Sequence, residues 1–386
     1  MTCSSKNTTN SIKEVIYDDP FTIIDISCLE TEKESYSLYV SSVEYIPLET
    51  NNNCLIDNYA IISFISSSYI MITNLNEGTI AIFDRKSGLI ISRFNAKGRS
   101  GKEYLRMGFV TLDEKNKEIF VTDYYALSRC QVYTIEGEYI RTLQFEEGVK
   151  STEIYNFDNE SIFVYNSIHF SAKDTTSYCR PFLLVSKQDG HTILELNISV
   201  STKLKSSRLL QNGNVQSIVL PEQKILRDSI GFLLAPISSD TIYRLTYDRN
   251  VTPILVRTPS VFDKQPEDRL VLIEKTNRYF FFVKYCFDFE KMRIIDQADL
   301  FYDLTNKKFF NANEQIVDQT EQISHQTNII VGSRGDYLEW NIRVHLIYAD
   351  RLKNDLCKGK LHGLLKKIAE KINEDDNPII AITKFQ

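Results

Sequence analysis

The sequence predicts an all-β fold built from a repeated four-stranded unit, and three observations support that prediction. Residues that favour pleated sheets are abundant, with 21 Tyr and 22 Phe among 386 residues. Apolar runs of roughly four to eight residues alternate with turn-forming residues along most of the chain. A weak repeat aligns residues 79–94 with residues 130–145, each with the pattern strand, turn and strand. We therefore expect a six-bladed β-propeller of four-stranded blades.

The predicted elements follow in chain order. Residues 1–35 are polar and acidic apart from an apolar patch at residues 21–27, and we interpret them as an N-terminal tail or leader. The propeller is expected to occupy residues 36–386, and its first two blades contain the aligned repeats, with turns at Ser87–Gly88 and Glu136–Gly137. The later blades are expected at residues 161–198, 229–258, 269–312 and 328–385.

The last blade is expected to contain a helix and to close the ring. Leucines and isoleucines recur at helical spacing over about residues 351–373, with lysines elsewhere, which predicts a helical insert that packs over this blade. Sheets leave reactive free edges unless their outer strands are paired. The early strand at residues 40–49 is therefore expected to complete the blade that ends with residues 378–385.

The charge and the cysteine pattern argue against several classes of function. The formal net charge is −6 and the basic residues are scattered, so a nucleic-acid partner is not expected. The seven cysteines include no C-x-x-C pair and no closely spaced Cys/His pair, so we expect no metal site and no cofactor. We expect mostly buried free thiols, although an exported protein could pair some of them.

The start of the chain suggests a place in the cell envelope. Cys3 heads a short polar tract of Ser, Thr and Asn, which is typical of a bacterial lipoprotein after removal of its signal peptide. This interpretation makes Cys3 the lipidation site and assumes a signal peptide upstream of this sequence; otherwise we expect a cytoplasmic protein. No run of about 18 apolar residues is present, so contact with a membrane is expected only through such a lipid anchor.

Four motifs, in order along almost the whole chain, resemble those of a known family. They are VEYIPLET at residues 43–50, the passage from IFDRKSG to IFVTD at residues 82–123, DTIYRL at residues 240–245, and EDDNPIIAITKF at residues 374–385. With them the chain resembles the six-bladed, NHL-like β-propellers that are abundant as lipoproteins in Bacteroidetes. The resemblance implies a propeller over most of the chain and a place in the envelope.

A loop within the second motif has nearly the spacing of a phosphate-binding loop. Residues 96–102 read A-x-x-x-x-G-K, but Glu103 stands where a Mg²⁺ ligand would be needed, and a strand follows instead of a helix. Nucleotide binding is therefore not expected. In the family that the chain resembles, this loop usually reads G-x-G-P-G-E-Y, and Gly98, Glu103 and Tyr104 keep its two ends. We interpret the loop as a connection between blades that Glu103 and Tyr104 anchor.

Candidate binding residues lie on loops, because no linear catalytic motif is present and the five histidines are isolated. Functional residues of rigid scaffolds concentrate on loops, and here these are the loops that join the second and third strands of each blade. The candidates are Tyr124, Tyr125, Arg129, His169, Arg180, Asp240, Asp288, Arg293 and Arg334.

The sequence thus favours a non-enzymatic binding or scaffolding protein of the bacterial cell envelope. It would recognise a glycan, peptide or protein partner through loops at the channel mouth. A propeller enzyme that acts on polysaccharide as a lyase or hydrolase stays open, because catalytic residues from several blades would leave no linear motif. A deep pocket at the channel mouth in which charged and aromatic loop residues meet would favour the enzyme.

Overall fold

The computed structural model describes residues 21–27, 40–171, 173–204, 207–210, 212–217, 223–311, 316–318, 323–325 and 335–385. Antiparallel strands, numbered in chain order, dominate this part of the chain. The first two are β1 (Thr22–Asp25) and β2 (Val40–Pro47), and both join sheets formed by much later residues. Six large sheets follow, and we assign each of them to one blade.

Blades 1 to 3 have four strands each, paired in chain order. Blade 1 contains β3 (Ala60–Ile65), β4 (Tyr69–Asn74), β5 (Thr79–Asp84) and β6 (Ile90–Asn95). Blade 2 contains β7 (Met107–Asp113), β8 (Glu118–Asp123), β9 (Ala126–Thr134) and β10 (Tyr139–Gln144). Blade 3 contains β11 (Ser151–Asn156), β12 (Ser161–Asn166), β14 (Phe182–Ser186) and β15 (Thr192–Glu195). Two short strand pairs also occur in this part of the chain. Strand β13 (Tyr178–Cys179), which lies between β12 and β14 in sequence, pairs with β16 (Val200–Ser201) after blade 3. Strands β17 (Ser207–Leu209) and β18 (Val215–Ser217) pair with each other before blade 4.

Blades 4 and 5 repeat this arrangement, and blade 6 is assembled from both ends of the chain. Blade 4 contains β19 (Ile225–Asp228), β20 (Gly231–Leu234), β21 (Thr241–Thr246) and β22 (Val251–Thr258). Blade 5 contains β23 (Arg269–Lys275), β24 (Tyr279–Asp288), β25 (Arg293–Asp303) and β26 (Lys308–Asn311). Next come the pair β27 (Ile316–Asp318) and β28 (Ile323–His325), and β29 (Asp336–Tyr337), which pairs in parallel with β3. Blade 6 contains β30 (Ile342–Ile347), β31 (Ile379–Phe385) and β2.

Neighbouring blades share hydrophobic cores, and these cores close a ring. Blades 1 and 2 share one hydrophobic cluster. A larger cluster, which includes Phe163, joins blades 2, 3 and 4. A third cluster, which includes Phe282, joins blades 4 and 5. Blades 5 and 6 meet at Phe281 and Phe385, and blades 6 and 1 share a cluster that includes Ile382. The predicted all-β propeller fold is confirmed, and the sheets occur in the predicted order. Within the described residues, however, the last sheet has three strands instead of four, because β29, which was expected in that blade, pairs with β3 of blade 1.

Strand β2 closes the ring, as the sequence predicted. It pairs antiparallel with β31, with Tyr45 opposite Ala381, and so becomes the outer strand of blade 6. Arg85 of blade 1 reaches across the closure and donates hydrogen bonds of 2.9 Å from Nη1 and from Nη2 to the two carboxylate oxygens of Glu44 on β2. The first and last blades are therefore joined by a shared core and by a bidentate ion pair.

Strand β1 extends blade 4, a role that the sequence analysis did not assign to residues 21–27. It pairs in parallel with β22, with Thr22 opposite Leu255. Ile24 and Ile26 are buried in the core shared by blades 4 and 5, whereas Phe21 and Ile23 are exposed. The apolar patch that was interpreted as part of a leader is thus a fifth strand of blade 4.

Two short helices occupy the insert in blade 6, where the sequence predicted a single helix over about residues 351–373. They are α1 (Ala349–Cys357) and α2 (Gly363–Lys371). Gly359 lies just beyond α1 with a φ of +68°, a left-handed conformation that commonly ends a helix. Leu352 of α1 and Leu365 of α2 pack against Tyr45 of β2. The insert covers the blade as expected, but a break divides it.

Candidate functional site

The loops of the propeller leave it on two faces. In an antiparallel blade the strands alternate in direction, so the connection from the second to the third strand and the connection to the next blade leave on the same side. We call this side the loop face; it comprises the connections β4–β5, β8–β9, β12–β14, β20–β21 and β24–β25 and the connections between blades. All the predicted binding residues that the structure describes lie on this face or at the strand ends beside it.

An exposed aromatic pair stands on the loop face at blade 2. Tyr124 and Tyr125 are 57% and 66% exposed, and their rings meet edge to face with centroids 5.7 Å apart. The Arg106 guanidinium lies 4.9 Å from the centre of the Tyr124 ring. Cation–π contact of this kind orients an aromatic ring while leaving its other face open. We call Tyr124, Tyr125 and Arg106 the aromatic platform.

The buried carboxylate of Asp123 holds the turn beneath the aromatic platform. It accepts hydrogen bonds from the backbone N–H of Leu105 at 3.1 Å, of Arg106 at 3.3 Å and of Tyr125 at 3.1 Å. Arg129 donates from Nη2 to the same carboxylate at 3.3 Å. The turn after β8 and the connection from blade 1 are therefore tied to one side chain, and Arg129 contributes to the fold of the platform.

Three other predicted residues make local contacts. His169 and Asp174 form a pair with 3.2 Å between Nδ1 and the carboxylate, and Arg180 lies 3.3 Å from Glu195. Asp240 accepts a hydrogen bond of 2.8 Å from the backbone N–H of Val261. The structure does not bring these residues together with the aromatic platform into one pocket.

Of the remaining candidates, Asp288 lines a cavity. Its carboxylate accepts hydrogen bonds from the backbone N–H of Glu290 and of Lys291, and lies 3.2 Å from the Lys291 ammonium. The backbone N–H of Lys291 in particular holds the pKa of Asp288 below its usual value. Arg293 is exposed and stands opposite Asp288 in the sheet register. Arg334 and Cys3 lie outside the described residues.

A cavity of about 630 Å³ opens on the loop face beside blade 5. Five charged side chains line it: Lys203, Glu267, Arg269, Asp288 and Glu290. We call it the Arg269 cavity, because Arg269 is 1% exposed and its Nε and Nη1 atoms make no hydrogen bond within the described residues. Its lining comes from the connection between blades 3 and 4, the connection between blades 4 and 5, and blade 5 itself.

Sequence reasoning missed Arg269, because it searched the loops and Arg269 is the first residue of β23. One signal was present. Arg269 immediately precedes the apolar run at residues 270–273, and it is two residues before the buried Val271, so the side chains of Arg269 and Val271 lie on the same face of the strand. An arginine in register with a buried face indicates a buried cation, although the pattern does not say what it faces.

The central channel is crossed by a buried network of polar contacts. The carboxylate of Asp336 on β29 accepts hydrogen bonds from Thr111 Oγ1 at 2.7 Å and from Arg227 Nε at 2.6 Å and Nη2 at 2.9 Å. Arg227 Nη2 also donates to the backbone carbonyl of Asn156 at 2.8 Å. Burial opposes the charge of Arg227, but the adjacent Asp336 carboxylate outweighs it and raises the pKa of the guanidinium. The network joins β7, β11, β19 and β29 around the axis.

The described residues offer no cluster of three His, Cys, Asp or Glu side chains that could hold a metal ion. Among the helices of the same residues, none has the length and apolar content needed to cross a membrane. The described cysteines are free thiols, with Cys54, Cys130 and Cys286 buried, Cys179 half-buried and Cys357 exposed.

Comparison with known proteins gives one match to a family model. A model described as a domain of unknown function (DUF4934) matches residues 21–384, which include β1 and the end of β31. No curated protein matches the chain.

One solved structure shares the fold over almost the whole chain, and others align with it only weakly. A candidate exported protein from Bacteroides fragilis NCTC 9343 aligns with a TM-score of 0.62 at 15% identity, over 95% of this chain and 100% of its own. Virginiamycin B lyase from Staphylococcus aureus aligns with a TM-score of 0.33 at 11% identity, over 70% of this chain and 98% of its own. The Pan2 WD40 domain of Neurospora crassa also reaches 0.33, at 10% identity, over 66% of this chain and 64% of its own. The last two alignments are too weak to support any conclusion about this chain.

Proposed function

The chain belongs to the DUF4934 family, and we propose that it is a non-enzymatic binding or scaffolding propeller of the bacterial cell envelope. It recognises a glycan, peptide or protein partner through the loop face, and a lipid on Cys3 anchors it. The candidate exported protein of Bacteroides fragilis, which shares the fold over 95% of this chain, supports a place outside the cytoplasm.

The aromatic platform is the observation that carries this proposal. Single exposed aromatic side chains are common, but contiguous exposed apolar surface often marks a binding site, and Tyr124 and Tyr125 form an adjacent pair at blade 2. A tyrosine ring offers an apolar face and a hydroxyl, which suits stacking on a sugar ring with a hydrogen bond at its edge. A glycan is therefore the partner that the platform fits best, and peptides come second.

The network around Asp336 weighs against the enzyme alternative. A propeller enzyme needs acid and base groups that meet at a pocket open to substrate. Near the axis, Asp336 and Arg227 bind each other and the neighbouring strands, so their charges are already satisfied by the fold. The aromatic platform, for its part, contains no carboxylate and no histidine.

A glycan-binding assay tests the proposal. Immobilised bacterial and host polysaccharides are screened with the purified protein, and the best ligand is titrated against Tyr124→Ala and Tyr125→Ala. We expect each change to weaken binding at least about fivefold, since stacking on an aromatic ring is worth about 1–3 kcal/mol for a nucleobase and a sugar ring uses the same kind of contact. Leu89→Ala is the control, because Leu89 is exposed in the β5–β6 turn on the opposite face.

Two outcomes would contradict the proposal. Binding that survives both tyrosine changes would remove the platform from the function. Turnover of a polysaccharide by the purified protein, abolished by changes on the loop face, would establish the enzyme instead. The location is tested separately: when the natural gene is expressed in its host, Cys3→Ser is expected to release the protein from the membrane fraction.

A further inference from the structure

The connection from blade 1 to blade 2 places basic residues beside the aromatic platform. Residues 96–106 contain one acidic residue, Glu103, and four exposed basic residues: Lys97, Arg99, Lys102 and Arg106. We call residues 96–106 the basic segment. The chain as a whole has a formal net charge of −6, so the sign of the charge is reversed here. A local excess of positive charge attracts anionic ligands.

The basic segment crosses the loop face of blade 2 from its outer strand to the aromatic platform. The ammonium group of Lys102 lies 5.4 Å from the centre of the Tyr139 ring on β10. The backbone carbonyl of Glu103 accepts a hydrogen bond of 3.3 Å from Gln131 Nε2 on β9. Arg106, the last residue of the segment, stacks on the platform after β8. The positive charges therefore follow a path that ends at the exposed aromatic pair.

The charge at the end of this path is available to a ligand. Within the described residues the guanidinium of Arg106 makes no hydrogen bond and no ion pair, and its contact is with the face of the Tyr124 ring. The two carboxylates nearby are bound by backbone groups. Glu103 accepts a hydrogen bond from the N–H of Ser100, and Asp123 accepts hydrogen bonds from the turn beneath the platform. Neither carboxylate pairs with Arg106.

Exposed acidic residues of the loop face set the side on which an anion is favoured. Glu146 and Glu147 are exposed in the connection from blade 2 to blade 3. The basic segment is the connection on the other side of the blade, from blade 1. A negatively charged ligand is therefore expected to lie over the platform toward blade 1.

These features match a sugar polymer that carries carboxylate groups. The rings of Tyr124 and Tyr125 offer apolar faces on which a sugar ring can stack. The guanidinium of Arg106 presents N–H donors in a planar fork, and a carboxylate accepts from two of them at once. Lys102 is four residues before Arg106 and so lies at most about 14 Å from it, which brings a second cation within reach of a polymer.

We propose that the loop face of blade 2 binds a polyuronate, a polysaccharide of sugar acids, with a sugar ring on the tyrosine pair and a carboxylate on Arg106. A neutral glycan would use the two rings and leave the basic segment without a partner. The inference deepens the proposed function and rests on it, because both use the aromatic platform.

Calorimetric titration of the full chain with tetragalacturonate and with its methyl ester tests the inference. The ester keeps the sugar rings and removes the negative charges. We expect the free acid to bind at least about tenfold more tightly than the ester, because only the acid pairs with the basic segment. Sodium chloride should weaken binding of the acid and leave binding of the ester unchanged, since salt screens exposed charges.

Variants of Arg106 separate its charge from its contact with Tyr124. Arg106→Gln should reduce the preference for the acid to less than about threefold, and Arg106→Lys, which keeps the charge, should retain more of it. If Arg106 only orients the ring, Arg106→Gln would weaken acid and ester equally and leave the preference intact. Arg351→Gln is the matched control, because Arg351 is exposed on α1 and lies 5.8 Å from the Tyr348 ring, far along the chain from the platform. It should keep the full preference.

Several results would overturn the inference. They are no binding of tetragalacturonate, equal binding of acid and ester, or a preference that survives Arg106→Gln. Dextran sulfate that binds where tetragalacturonate does not would assign the basic segment to sulfate groups instead. Polyglutamate that binds as tightly as tetragalacturonate would show recognition of charge without a sugar ring.

The same titrations distinguish a failure of this inference from a failure of the proposed function. Equal binding of acid and ester that is lost in Tyr125→Ala would overturn the inference and leave the platform as a site for neutral glycans. Binding of both forms that is unchanged in Tyr124→Ala and in Tyr125→Ala would contradict the proposed function itself.

Discussion

At the scale of single residues, the connection between blades 1 and 2 shows what its glycines and its Glu-Tyr pair do. Tyr104 is buried, donates from its hydroxyl to the backbone carbonyl of Gly78 at 2.8 Å, and accepts from the backbone N–H of Ala96 at 3.1 Å. Glu103 accepts from the backbone N–H of Ser100 at 2.8 Å. Lys102 lies 5.4 Å from the Tyr139 ring. The loop that resembles a phosphate site is thus a structural crossing that Glu103 and Tyr104 anchor.

Gly98 and Gly101 allow a matched test of that crossing. A methyl group at Gly98 would overlap the carboxylate of Glu103, whereas one at Gly101 would meet no atom within 4 Å. We expect Gly98→Ala to lower the melting temperature by about 2–4 °C, because Glu103 must leave its hydrogen bond with the loop. Gly101→Ala should change it by less than about 1 °C. Thermal unfolding followed by circular dichroism measures both, and equal effects would contradict this account of the loop.

At the scale of elements, strand β1 shows how a short apolar patch can be a structural strand. Four residues pair with β22, and alternate side chains point into the core between blades 4 and 5 and out to solvent. Such a patch is too short for a sequence pattern to separate it from an apolar stretch in a tail. Its role depends on an edge of blade 4 that forms more than 200 residues later.

Ile24 and Ile23 test the contribution of β1, because they are neighbours on opposite sides of the strand. Ile24 is 1% exposed and Ile23 is 66% exposed. We expect Ile24→Ala to lower the free energy of unfolding by about 2–5 kcal/mol, the usual cost of emptying a buried site of this size. Ile23→Ala should change it by less than about 0.5 kcal/mol. Urea unfolding measures both; a small effect at Ile24 would mean that β1 is not held by the core.

The helical insert shows what the sequence pattern could have predicted and did not. Apolar residues at helical spacing continue across both helices, so they indicate the packed face but not the break. Gly359, whose N–H donates to the carbonyl of Leu356 at 2.9 Å, provides the stop signal, since glycine is common just after a helix ends. Gly359 therefore predicts the end of the first helix, at the place where the structure divides the insert.

At the scale of the whole molecule, closure of the ring depends on contacts between the two ends of the chain. Blade 6 combines β2 with β30 and β31, so more than 300 residues separate strands that pair directly. Glu44 and Arg85 add an ion pair between this blade and blade 1. The hydrogen bonds from Arg85, followed by its charge, hold the pKa of Glu44 below its usual value of 4.5.

The Glu44–Arg85 pair predicts a pH dependence of stability. Because the pKa of Glu44 is lower in the folded than in the unfolded protein, its contribution is present above about 4.5 and is lost as the pH falls through the folded pKa. We expect Glu44→Gln to be less stable than the natural sequence at pH 7, and we expect the difference to become smaller as the pH falls below about 4.5. Since 42% of the Glu44 side chain is exposed, solvent screens the pair and the difference at pH 7 should be below about 1 kcal/mol.

Melting temperatures between pH 3 and pH 7 provide the measurement. Glu138→Gln is the control, because Glu138 is exposed in the β9–β10 turn, and it should follow the natural sequence at every pH. A difference for Glu44→Gln that persists unchanged to pH 3 would show that the charge of Glu44 does not contribute to closure.

By itself the sequence determined the all-β propeller fold, the order of the sheets and the closure by residues 40–47. Each of these depends on local signals, namely alternating or continuous apolar runs, turn residues, and short sequence motifs that occur in a fixed order along the chain. The tertiary structure alone decided that Asp336 lies between Thr111 and Arg227 in the channel, and that Arg269 lines a cavity together with Lys203 and Glu290. These groups meet because the ring brings separate blades together, and a linear pattern records the period of each strand but not which distant side chains come to face each other.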